Sequence, residues 1–144
     1  MKVAFDIGGV LSKYPVLFRK FCKTLQSGSI EVYVITDMHD REKTLAMLKD
    51  NGFGFIPEER VLNSDYAKYG DMCKAVLLKE HAIDMLIDDF PGYVQWDSSF
   101  GPAPVRLLSQ PDPFKPYWSE DWKTDPKDGD FGRRVFTKDT ACSD

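Results

Sequence analysis

The chain of 144 residues carries 19 Lys and Arg against 23 Asp and Glu, for a formal net charge of −4, and is 42% hydrophobic and 13% aromatic. A chain of this length and balance makes one ordinary domain, able to bury roughly 70% of its unfolded surface without a disulfide or a structural metal. The acidic balance argues against a basic coat for duplex nucleic acid, so no strong duplex binding is expected, while a local basic patch stays open; no stretch approaches the roughly 20 apolar residues that span a bilayer.

In chain order, Lys2 to Ile7 is an apolar run closed by Gly8-Gly9, the pattern of a buried parallel strand entering a tight turn. Pro15 then suits the first position of a helix whose Leu17, Phe18, Phe21, Cys22 and Leu25 recur at helical spacing until Gly28. Ile30 to Ile35 is β-rich and stops at Thr36-Asp37. Asp37 or Asp40 can cap the next helix, whose Leu45 and Leu48 mark its apolar side and whose end falls at Gly52. Phe53 to Tyr69 is mixed, with a short strand expected near Val61-Leu62. Asp71 can cap a third helix carrying Cys73, Val76 and Leu77. Ile83 to Ile87 is a further buried strand, ending in Asp88-Asp89, and Val105 to Leu108 is the last.

Alternating strands and helices predict an α/β fold, a Rossmann-like three-layer sandwich with a mostly parallel central sheet and helices on both faces. Residues 1–110 form this core domain, and 111–144 read as a Pro- and Trp-rich tail, packed on the core through Trp118 and Trp122 or partly disordered. Cys22, Cys73 and Cys142 are too dispersed for a metal knuckle or a paired disulfide framework, which fits a reducing cytosol. The first apolar run is too short for a signal peptide and is broken by Asp6. The expectation is a soluble cytoplasmic protein with no membrane partner.

In open α/β sheets the ligand site lies beyond the carboxyl ends of the strands. Here those ends are polar each time: Asp6, Thr36-Asp37 and Asp88-Asp89, with Lys74 in the first turn of the helix before the last pair. Two bare carboxylates about 4 Å apart repel by roughly 4 kcal/mol at an effective dielectric near 20, so the cluster wants a cation. Its hard oxygens suit Mg²⁺, and a metal flanked by an ammonium and a hydroxyl is a receptor for a phosphoryl group.

This order of residues resembles the haloacid dehalogenase-like (HAD) superfamily, which is dominated by phosphatases. Val3-Ala4-Phe5-Asp6-Ile7-Gly8-Gly9-Val10-Leu11 is similar to its first motif, a hydrophobic strand followed by Asp-x-Asp-Gly-Thr/Val-Leu/Val. Val32 to Thr36 is similar to the second, Lys74 to the third and Met85 to Asp89 to the fourth, over about residues 1–110. The resemblance implies that Asp6 attacks phosphorus to form an aspartyl-phosphate. It implies that Thr36 and Lys74, beside Asp37 and Gly9, hold the phosphoryl group. Asp6, Asp88, Asp89 and the Gly8 carbonyl would hold Mg²⁺. Lys79 is the alternative to Lys74, and Asp89 reads equally as a structural cap.

One position departs from the pattern. Gly8 stands where the family's phosphatases carry a second aspartate that protonates the leaving group and then activates water. Such help is worth about 10²–10⁴ in rate. A weak phosphatase, an enzyme with a substitute acid such as Asp37 or His39, and a phosphate-binding module without turnover all remain open. Leu11 to Pro15 is too short to hold a cap domain, so the site should be open to a phosphorylated small molecule, a phosphorylated polymer end, a lid protein or a neighbouring copy in a homo-oligomer. Asp6-Ile7-Gly8-Gly9 also opens the phosphate loop of actin-like sugar kinases, but those need two such domains and a hairpin after the glycines.

Overall fold

The structure, a computed structural model, describes residues 1–108; the expected tail with Trp118, Trp122 and Cys142 lies outside the described residues. Five strands, β1 (Lys2–Phe5), β2 (Glu31–Thr36), β3 (Val61–Asn63), β4 (Met85–Asp88) and β5 (Val105–Leu108), make one sheet in the order β3-β2-β1-β4-β5. Every pairing is parallel. The helices are α1 (Pro15–Ser27), α2 (Arg41–Asp50), α3 (Tyr66–Tyr69) and α4 (Cys73–Glu80). The chain is therefore α/β, with a parallel sheet between helical layers, as in a Rossmann-like sandwich.

Alternation along the strands sorts the core into two faces. Val3, Phe5, Val32 and Val34 pack with Cys22 of α1 and Leu48 of α2 on one side. Ala4, Tyr33, Ile35 and Leu86 pack with Leu78 of α4 on the other. Each fully buried aliphatic or aromatic side chain here contributes about 1.5–3 kcal/mol relative to exposure.

Local chemistry sets the boundaries, and it moves several of them from where the apolar runs end. β1 stops at Phe5 rather than Ile7 because the N–H groups of Leu11 and Ser12 donate back to the carbonyls of Asp6 (3.3 Å) and Ile7 (2.9 Å), folding residues 7–11 into a turn. β4 starts at Met85 rather than Ile83 because the Ile83 N–H donates to Leu78 O at 2.9 Å and closes the end of α4. Of the two candidate caps for α2, Asp40 serves, its carboxylate accepting from Lys43 N at 3.0 Å. Asp71 does not cap α4: Met72 holds that position without a side-chain bond, and Asp71 lies in a 3₁₀ turn over Gly70–Met72. The short strand expected near Val61-Leu62 is β3. The Arg41 guanidinium ties it down by donating to Val61 O at 2.5 Å and Glu58 O at 2.8 Å.

β1 is central, with β2 and β3 to one side and β4 and β5 to the other. The direction of chain progress thus reverses between β1 and β4, which is where an open parallel sheet leaves a crevice at its carboxyl edge. Residues 12–14 alone join the turn to α1.

Candidate active site at the carboxyl edge

Strand parity aims the acids. Asp6 follows Ala4 by two and Asp88 follows Leu86 by two, and both Ala4 and Leu86 face α4. Lys74, in the first turn of α4, meets them there: its Nζ lies 2.8 Å from Asp6 Oδ1 and 2.5 Å from Asp88 Oδ2. Asp88 Oδ1 accepts from Phe90 N at 2.9 Å, so both of its oxygens are engaged. Lys74 and Asp88 are fully buried and Asp6 is 6% exposed. A buried charge is tolerated only when paired and hydrogen-bonded, and this group meets that condition. Lys79, the alternative lysine, lies with its ammonium over the Phe100 ring instead.

Burial dominates the electrostatics of Asp6 and raises its pKa to about 7, with Asp88 and Asp89 adding to the rise and Lys74 opposing it. Burial alone would lower the pKa of Lys74, but the carboxylates of Asp6 and Asp88 outweigh it and hold the ammonium charged. Asp89 is raised by burial and by the charge of Asp88.

A cavity of about 500 Å³ opens above Asp6 and is lined by Gly8, Thr36, Asp37 and Asp89 as well. Thr36 is buried, and its hydroxyl accepts from Met38 N at 3.3 Å. Lys74 and Asp88 lie behind Asp6 and do not line this space. Gly9 is also set back. Its N–H donates to Ser12 Oγ at 3.1 Å, its φ is +70°, and a β-carbon there would overlap Asp89 Oδ2. Glycine at this position is a condition for seating Asp89. His39 is exposed and is not among the cavity's lining residues.

Tyr93 was not marked by the sequence reading. Its hydroxyl donates to Asp37 Oδ2 at 2.8 Å, and its ring lies 4.5 Å from Lys74 Nζ. Burial and the Asp37 carboxylate push its pKa up, keeping the phenol protonated. Tyr93 belongs to the loop that follows β4, the kind of segment that supplies ligand contacts in parallel sheets, and that position was the only available signal.

One ligand oxygen from each of Asp6, Asp88 and Asp89 lies within 4.8 Å of the others. The donor set is all carboxylate, and Gly8 lines the same cavity as Asp6 and Asp89. The set fits a hard divalent cation. No protein-family model, curated protein or solved structure matches the chain.

Proposed function

We propose that the chain is an Mg²⁺-dependent HAD-like phosphohydrolase or phosphotransferase that works through an aspartyl-phosphate on Asp6. The observation that carries this reading is the near-enclosed Asp6 carboxylate at the base of an open cavity, in a cluster with Asp88 and Asp89 and backed by Lys74. Asp6, Asp88, Asp89 and the Gly8 carbonyl would hold Mg²⁺, which when bound supplies positive charge for the carboxylates and a phosphoryl oxygen.

An ionised Asp6 oxygen forms a bond to phosphorus, the ester P–O bond breaks, and its electron pair leaves with the alcohol oxygen. That oxygen takes a proton from solvent; water, or an acceptor alcohol, then attacks phosphorus, gives its proton to solvent and displaces Asp6, regenerating the carboxylate. Thr36 offers its hydroxyl to the phosphoryl oxygens, and Lys74 provides a fixed charge behind the nucleophile. Gly8 has no carboxyl to protonate the leaving oxygen, so substrates with good leaving groups are favoured. The test is release of phosphate from p-nitrophenyl phosphate by the full chain in Mg²⁺. Loss of that release with EDTA or in Asp6→Asn supports the reading.

One observation favours a second reading, a non-catalytic HAD-like module that binds metal and a phosphorylated ligand or protein partner. Lys74 already bonds both Asp6 and Asp88, an arrangement that stabilises the edge without turnover. Binding of Mg²⁺ and phosphate with no phosphate release would select it.

A further inference from the structure

The cavity has two kinds of lining. Asp6, Thr36, Asp37 and Asp89 supply polar groups, and Tyr66, Phe90 and Tyr93 supply rings, with Met38 and Met47 beside them in the lining. The rings form one cluster: Phe90 meets Tyr93 edge-on at 4.8 Å between centroids, and Tyr66 meets Tyr93 at 6.3 Å. Tyr93 is held in place by Asp37 and its ring lies 4.5 Å from the Lys74 ammonium, so the ring cluster is anchored to the polar residues. Gly92 contributes too, since a β-carbon there would overlap the Phe90 ring. The loop after β4 thus folds Phe90 back over its own backbone.

Two of the rings nevertheless stay open to solvent, Tyr66 at 47% and Phe90 at 46%. Both line the cavity that Asp6 also lines. Flat ring faces with thioethers nearby attract a planar aromatic group. A sugar phosphate would leave those faces wet. The volume of about 500 Å³ lies within the range of small-ligand sites, roughly 300–1,000 Å³. The formal charge of −4 disfavours a polyanionic strand as the occupant.

We infer that the cavity takes a phosphate monoester of mononucleotide size, with its flat ring against Tyr66 and Phe90 and its phosphate at Asp6 and Thr36. The inference rests on the phosphohydrolase reading for the phosphate end and adds the chemistry of the leaving group.

Calorimetric titration of the full chain in Mg²⁺ with AMP, ribose 5-phosphate and a 5′-phosphorylated tetranucleotide tests it. Expected is AMP binding about tenfold tighter than ribose 5-phosphate, the scale of one base–aromatic stack. The ratio should fall toward one in the Tyr66→Ala/Phe90→Ala variant and persist in Tyr66→Phe/Phe90→Tyr, with circular dichroism confirming that both fold. Equal affinities, no measurable AMP binding, a ratio indifferent to loss of the rings, or tighter binding of the tetranucleotide would each overturn it. Phosphate release measured alongside separates the two readings. Ring-dependent AMP binding without release upholds this inference against the phosphohydrolase reading, and release from both phosphates at equal KM does the reverse.

Discussion

The polar base of the cavity and its aromatic rim are built by different means. The base hangs from the ends of β1 and β2 with β4 behind them: Asp6 follows β1 and its N–H donates to Ile87 O of β4, Thr36 closes β2, and Asp88 of β4 backs Asp6. The rim comes from α3 and the loop after β4, and its rings rest on one another. Asp6 and Thr36 of the base are buried, whereas Tyr66 and Phe90 of the rim are nearly half exposed around a buried Tyr93. On the proposed function, the chemistry would rest on residues held by the strands and the recognition on α3 and the loop after β4.

The sharpest break in the base is Asp6→Asn, expected to lower phosphate release at least about 10³-fold because an amide is no nucleophile toward phosphorus; steady-state turnover of an aryl phosphate checks it. Next is Lys74→Met. It leaves Asp6 and Asp88 as buried carboxylates without their counter-charge, which should cost about 3–5 kcal/mol of stability in denaturant titration. Adding Asp88→Asn should recover part of that loss.

The third prediction concerns pH in EDTA. The pKa of Asp6 rises on folding from an ordinary 3.8 to about 7, so the fold favours the protonated acid. Its stabilising contribution is fully present below 3.8 and is lost as pH climbs through about 7, a change of roughly 4 kcal/mol. Wild type should therefore lose stability relative to Asp6→Asn across that window, read as the difference in melting temperature; a constant difference would refute the shift.

Gly9→Ala tests the seat of Asp89. The positive φ alone costs about 1–2 kcal/mol, and displacement of Asp89 should weaken Mg²⁺ binding by calorimetry. The smallest effect is expected where base and rim join. Tyr93→Phe keeps the ring and removes only the bond to Asp37, for a loss of about 0.5–1.5 kcal/mol in thermal unfolding.

The same division explains what could be read from the sequence. Asp6, Thr36 and Asp88-Asp89 each close a short apolar run, so strand periodicity alone brings them to one edge; Lys74 was singled out over Lys79 only by the motif resemblance, because helix position alone leaves either lysine as a solvated residue. β5 was legible to the residue because nothing else competes for Val105–Leu108. The ends of β1 and β4 were not, because hydropathy does not reveal that Leu11, Ser12 and Ile83 send their amides into turns. Asp71 satisfies a capping rule that the 3₁₀ turn ahead of α4 overrides. Tyr66, Phe90 and Tyr93 come from segments without periodicity, and their meeting depends on loop geometry. The set-back place of Gly9 likewise needed coordinates.

The contact between Gly9 and Asp89 also constrains how the two segments can diverge. Position 9 is restricted twice, by its own backbone angle and by the carboxylate lodged against it. Trimming residue 89 to something smaller removes one restriction and leaves the other. A side chain at 9 therefore asks for two changes together, another seat for the carboxylate and a rebuilt bend, so the two segments are tied to change as a pair.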